Sequence, residues 1–271
     1  MNNTFLEAVA KDLLQKYGSN LSRIAVVFPN KRASLFMNEY LARLSDAPLW
    51  SPCYTTISDL FREKSELMVA DPIKLVCDLY RSYTEITGKD ETLDRFYGWG
   101  QLLLADFDDI DKNMADSHKV FANLRDIHEL DDIDYLSPEQ KNILKSFFHN
   151  FADDHLSKLK ERFLSLWCNL EEIYCDFNQR LAAQGLAYEG ALYRRVVEAQ
   201  ADYEFDKYVF VGFNALTESE RQLLILLRDR GCADFYFDYE NPCLSDPQNR
   251  ASLFMKDNLQ LFQSRYVIPA N

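Results

Sequence analysis

The chain has 271 residues, 47% of them hydrophobic and 14% aromatic, with only eight Gly and eight Pro. That composition excludes a disordered or fibrous chain, and the length leaves room for one large domain or two modest ones. A formal net charge of −13 argues against a stand-alone nucleic-acid binder, whose signature is a basic face on a basic domain.

Near the start, Phe5, Leu6, Val9, Leu13 and Leu14 fall at helical spacing with charges between them. This predicts a surface helix rather than a signal peptide, with Gly18 as its stop. Ile24 to Phe28 is a short, β-branched apolar run, the pattern of a buried parallel strand. Pro29-Asn30 ends it, and Asn30 is placed to cap a helix over KRASLFMNEYLARL, in which Leu35, Phe36, Tyr40, Leu41 and Leu44 form one apolar stripe. A second strand is predicted near Tyr54 to Ile57, followed by a helix SDLFREKSELM that Ser58 caps.

From 61 to 199 the pattern is helix after helix, with no strand-like run. The predicted helices cover 72–87, opened by Asp71-Pro72, then 92–112, 117–129, 138–150, opened by the capping box Ser137-Pro138-Glu139-Gln140, and 154–184, stopped by Gly185. Strand signals return at Tyr208 to Val211 and Phe235 to Phe237, on either side of a helix that Thr217-Glu218-Ser219-Glu220 opens as a capping box. Two α/β pieces around a helical block predict one discontinuous α/β domain, residues 1–60 and 200–271, carrying an all-helical insertion at 61–199. The charge divides accordingly: residues 1–60 hold six basic and five acidic side chains, 61–199 hold 17 and 27, and 200–271 hold 7 and 11. Most of the acidity therefore belongs to the insertion, and the N-terminal piece is close to neutral.

No run reaches the roughly 18 apolar residues of a membrane helix, so no membrane association is expected. Cys53, Cys77, Cys168, Cys175, Cys232 and Cys243 form no CxxC pair, which predicts reduced thiols and a cytoplasmic protein.

A P-loop enzyme needs GxxxxGK[ST] after its first strand, because backbone amides must wrap the phosphates. Asn30-Lys31-Arg32-Ala33 has no glycine there, so nucleotide binding is not expected. Gly98-Trp99-Gly100 lies inside a helical pattern and reads as a helix break or a close packing contact. Asp106, Asp108, Asp109 and Asp111 fan out around a helix whose buried stripe is Leu103, Phe107 and Ile110, which favours a solvated face over a metal site. His118, His128, His149 and His155 make no HExxH and read as surface or packing residues. Cys168, Cys175 and the aromatics, Phe147, Phe148 and Phe151 among them, read as core. On these grounds no catalytic residue, metal site or cofactor is expected in this segment.

The segment VVFPNKRASLFMNEYLARL resembles motif Ia of UvrD-type superfamily-1 helicases, where a strand ends in a Thr-Asn-Lys-Ala-Ala-like turn that touches the backbone of single-stranded DNA. Asn30, Lys31 and Ala33 carry the match, with Arg32 a basic departure. YTTISDLF resembles the following Thr-Phe-His-Ser-like segment through Thr56, Ser58 and Phe61. YVFVGFNALTESERQLLILL resembles the Walker B strand and its helix, yet Gly212, Phe213 and Asn214 stand where active helicases carry Asp-Glu. ADFYFDYENP is similar to the next strand.

Together these segments resemble the AddB/RexB-like subunits of bacterial helicase/nuclease complexes, with WGQLLLADFDDID in their helical subdomain. The resemblance implies a P-loop-NTPase-like parallel sheet (helicase domain 1A) interrupted by a helical domain 1B. In the family a PD-(D/E)xK nuclease domain follows, so the chain is expected to be the N-terminal part of a longer exonuclease subunit. The implied function is an ATPase-inactive module for DNA repair and recombination. It would contact or scan single-stranded DNA through Asn30, Lys31, Arg32, Thr56 and Ser58, beside a partner helicase/nuclease subunit. Two alternatives stay open: Lys31 and Arg32 as a solvated first turn, and the chain as a scaffold that docks a partner helicase subunit without touching DNA.

Overall fold

The computed structural model describes residues 4–126, 157–239 and 253–265. In chain order the elements are α1 (Phe5–Tyr17), β1 (Ile24–Phe28), α2 (Arg32–Leu44), β2 (Cys53–Thr56), α3 (Ile57–Glu63), β3 (Met68–Val69), α4 (Pro72–Thr87) and α5 (Leu93–Lys112). They continue with α6 (Ser117–Asp126), α7 (Ser157–Ala183), β4 (Leu186–Ala187), α8 (Glu189–Ala199), β5 (Lys207–Val211), α9 (Glu218–Asp229), β6 (Ala233–Tyr236) and α10 (Leu253–Leu261). Contacts group Met1–Glu66 with Leu192–Asn271 in one unit, and Leu67–Ala191 in a second.

The first unit is α/β. Its four strands are parallel in the order β2-β1-β5-β6, with Val26 opposite Tyr54 and Val209, and Val209 opposite Asp234. All five residues of β1 are buried, as expected for an apolar strand flanked on both edges and covered on both faces. Ile24, Val26 and Phe28 join Val209, Val211 and Tyr236 in a cluster with Val9, Ala10 and Leu13 of α1 and Met37 and Leu41 of α2. The alternate residues build an aromatic face, where Phe210 lies 5.6 Å from Phe235 and Phe235 lies 4.7 Å from Phe262. Each such side chain contributes about 1.5–3 kcal/mol on burial. The predicted helix stop at Gly18 holds: its φ is +72° and its N–H returns to the Leu14 carbonyl. The capping box of α9 also forms, with Thr217 and Glu220 bonding each other's backbone N–H.

Two local expectations fail in this unit. The helix after β2 is capped by Thr56, whose hydroxyl accepts from the Asp59 N–H at 3.1 Å, not by Ser58, and it ends at Glu63 instead of running to 68. The stripe on α2 is also narrower than expected. Met37 and Leu41 face the core, while Leu35 and Phe36 are 72% and 49% exposed.

The second unit is helical but not all-helical. Met68–Val69 and Leu186–Ala187 pair in parallel, with the Met68 N–H on the Gly185 carbonyl and the Ala70 N–H on the Ala187 carbonyl. Two-residue strands carry no alternation for a sequence reading to detect. Their pairing brings together the two ends of the segment. Within it α4 packs on α5 and α7, and α6 packs on α7. The helices at 72–87 and 92–112 form as expected, the first capped by Asp71. The predicted helix at 138–150, residues 127–129 and 154–156, His128, His149, His155, Phe147, Phe148 and Phe151 lie outside the described residues.

Gly98 and Gly100 do not break α5. A Cβ on Gly100 would lie 2.3 Å from the ring of Phe96, which is buried among Tyr80, Tyr83 and Trp99. Cys175, expected in the core, is exposed on α7. Gly190, in the first turn of α8, donates its N–H to Asp108 Oδ1 at 2.6 Å, and a Cβ there would sit 2.4 Å from the Asp108 carbonyl oxygen. Gly190→Ala is therefore expected to destabilise the second unit by about 2 kcal/mol, although alanine is ordinarily the better helix former by about 1 kcal/mol. Chemical denaturation measures the sign directly.

Candidate functional site at the carboxyl edge of the sheet

In a parallel sheet the chain order reverses where successive crossovers leave in opposite directions, and the loops there part to form a crevice. Here β2 lies on one side of β1 and β5 on the other, so the reversal falls between β1 and β5. A cleft of about 430 Å³ opens at that point. Its walls include Phe28, Pro29 and Asn30 after β1, Val211 and Gly212 after β5, Phe36 and Tyr40 of α2, and Thr4 and Phe5 at the start of α1. Gly212 takes φ +76°, a turn that a side chain would strain.

The turn after β1 leads to the mouth of this cleft. Asn30 accepts the Arg32 N–H on its side-chain oxygen at 3.1 Å. It therefore shapes the turn, while Lys31 holds the cap position and offers no side-chain cap. Asn30, Lys31 and Arg32 are all exposed. Lys31 Nζ lies 3.0 Å from Asp59 Oδ2, and Arg62 lies 4.0 Å from the other oxygen of the same carboxylate. Arg32 has no ion-pair partner among the described residues. The Asp59 carboxyl is held below its ordinary range, chiefly by the hydrogen bond from Lys31, which outweighs the opposing effect of desolvation.

The remaining candidate residues are divided between roles. Thr56 is 7% exposed and spends its hydroxyl on the α3 cap, which removes it from the surface a ligand would meet. Ser58 is half-buried in the first turn of α3. Phe213 is buried against Phe210, and the Asn214 carbonyl accepts from the Asn258 side chain at 2.5 Å. No carboxylate follows β5 directly, but Asp238, two residues beyond β6, lines the cleft. Asp59, Arg62 and Asp238 carried no signal as site residues in the sequence, and Phe36, expected in the apolar stripe of α2, instead lines the cleft. Asp59 and Arg62 sit three apart on a predicted helix, so their shared face was legible, but their approach to Lys31 was not.

In the second unit the acidic run of α5 is not a uniform solvated face. Asp106 and Asp109 are exposed, Asp108 binds Lys112 at 2.8 Å and the Gly190 N–H, and Asp111 is buried at 1% exposure. The Asp111 carboxylate accepts hydrogen bonds from Tyr174, at 2.6 Å, and Tyr188. His118 pairs with Glu171 at 2.7 Å. Among the described residues no group of three or more His, Cys, Asp or Glu is arranged to hold a metal ion, and no helix is long and apolar enough to cross a membrane. Compared with known proteins, the chain matches no family model and no curated protein.

Proposed function

We propose that the α/β unit is an ATPase-inactive, helicase-like module of a cytoplasmic DNA repair and recombination machine, and that it contacts single-stranded DNA along the turn after β1. The observation that carries this reading is the exposed pair Lys31 and Arg32 at the start of α2, beside a cleft at the point where strand order reverses. First-turn amides and flexible cations suit a phosphodiester oxygen and select no base, as a module that slides along a strand requires. The resemblance of this segment to motif Ia supports the same assignment. ATP turnover is not part of the proposal. The β1 turn has no phosphate-wrapping glycines, and Gly212-Phe213-Asn214 supplies no magnesium ligand at the end of β5.

Lys31→Ala combined with Arg32→Ala is the test. Binding of a labelled oligothymidylate is expected to weaken roughly tenfold at low salt, and the slope of log affinity against log salt to fall by about 1.4, since each single-strand phosphate contact contributes about 0.7. Unchanged binding by the double variant would overturn the reading.

A second reading is favoured by a separate observation. Leu35 and Phe36, one turn further along α2, leave apolar surface exposed, as a site for a partner helicase or nuclease subunit would. On that reading Leu35→Ser with Phe36→Ser abolishes capture of the partner, and the parent chain shows no DNA affinity even at low salt.

A further inference from the structure

Among the described residues Asp59 is the one acidic side chain drawn into the basic turn, and its own helix holds it in place. Its backbone N–H is held by Thr56, its carboxylate meets Lys31 Nζ at 3.0 Å, and Arg62 stands 4.0 Å away on the next turn of the same helix. It is also the third residue of α3, where the helix dipole favours a negative charge whether or not Lys31 is present. Lys31, by contrast, sits at the end of a flexible stem that only its ion pair with Asp59 holds among the described residues, and its side chain is 80% exposed. The pair therefore has one fixed member and one mobile member.

Resting on the DNA-contact reading above, we propose that Asp59 is a built-in competitor for the phosphate: its carboxylate occupies Lys31 in the free protein and must be exchanged for a phosphodiester oxygen when a strand binds. The exchange costs little. An exposed ion pair contributes only modestly, and the displaced carboxylate keeps Arg62 and the N-terminus of α3 as neighbours. Asp59 thus weakens the phosphate contact without abolishing it, and it keeps Lys31 from holding other anions when no strand is present.

The test is a cycle of three variants, Asp59→Asn, Lys31→Ala and the two together, measured by anisotropy with a labelled oligothymidylate across a range of salt. Asparagine keeps the size of the side chain and the backbone N–H that Thr56 holds. Asp59→Asn is expected to bind roughly two- to fivefold more tightly at low salt, and this gain is expected to vanish in the Lys31→Ala background. A gain of equal size with and without Lys31 would show a diffuse charge effect and overturn the inference, as would unchanged or weaker binding by Asp59→Asn. The two proposals fail separately. If Lys31→Ala with Arg32→Ala weakens binding but Asp59→Asn does nothing, competition by Asp59 is wrong and DNA contact stands. If none of the variants differs from the parent, both fall.

Discussion

Asp234→Ala is expected to destabilise the α/β unit by about 3 kcal/mol, lowering its thermal midpoint by roughly 6–12 °C. The carboxylate of Asp234 is 4% exposed on β6 and accepts from Lys16 and Tyr17 of α1 and from Arg265 Nε at 2.7 Å. Tyr236, on the same face of β6, donates to Asp12 of α1 at 2.6 Å. The network thus ties an outer strand both to α1 and to the segment after α10, where the Arg265 N–H bonds the Phe235 carbonyl. Removing the carboxylate leaves two cations and a phenol facing a space they can only partly escape. Lys16 and Arg265 are 28% and 44% exposed, so water recovers some of the loss, which keeps the figure at the low end for a broken buried pair.

The same network has a pH signature. Burial works to raise the Asp234 pKa, but the hydrogen bonds from Lys16, Tyr17 and Arg265 outweigh it and hold the carboxyl below its ordinary range. The folded state then binds fewer protons than the unfolded state in the acid range. Its contribution is fully present above the unfolded carboxyl pKa of about 3.9 and is lost as pH falls through the folded value. Tyr17 and Tyr236 act in the opposite direction. Burial first, and then the carboxylates they donate to, push both phenols up, so their share is present below about pH 10 and is lost as pH rises through their folded values. Denaturation across pH should show Asp234→Asn flattening the acid limb and also weakening the alkaline one, because it removes the carboxylate that helps to raise Tyr17; an acid limb as steep as the parent's would exclude Asp234 as its source.

What the sequence made legible was local. Ile24 to Phe28 reads as a buried strand because apolar β-branched residues have nowhere else to go, and Gly18, Asp71-Pro72 and Thr217-Glu220 mark helix ends because their chemistry satisfies groups within four residues. The helical stretches at 72–87 and 92–112 follow from periodicity alone. What was hidden depends on groups distant in the chain. Thr56 takes the cap from Ser58 because pairing of β2 with β1 ends at Thr56, opposite Phe28, so the backbone is already helical at Ile57, which the sequence placed in the strand. Leu35 and Phe36 fit a helical stripe, but it is Met37 and Leu41 that α2 buries in the core, with Tyr40 and Leu44 packed at its margin. In the candidate site the cations after β1 were visible, while the acid that holds one of them was not. Asp59 reaches Lys31 only because β1 and β2 are neighbours that both end at the same edge of the sheet.

Asp111 carries the same lesson into the helical unit, and it gives the second large effect. Asp111→Ala is expected to cost about 3 kcal/mol, because Tyr174 and Tyr188 each donate to its carboxylate from positions 9% and 2% exposed, and hydrogen bonds to a charged group contribute about 1.5–3 kcal/mol each. The sum exceeds the expected cost because removing Asp111 also removes a buried charge, whose desolvation opposes folding. Tyr188→Phe should cost less, since it deletes one donor and the 3.1 Å acceptor of Asn178 while leaving Tyr174 on the carboxylate. The two changes share one hydrogen bond, so the double variant is expected to fall short of the sum by about 1 kcal/mol. Strict additivity in urea denaturation would mean that the bond contributes nothing. If instead Asp111 served as a metal ligand, divalent cations would stabilise the parent chain and leave Asp111→Ala unmoved. The geometry predicts no such difference, because both oxygens of this carboxylate are already engaged by phenols, and the four aspartates that look like one acidic motif in sequence are divided by the helix among a salt bridge, a buried acceptor and solvent.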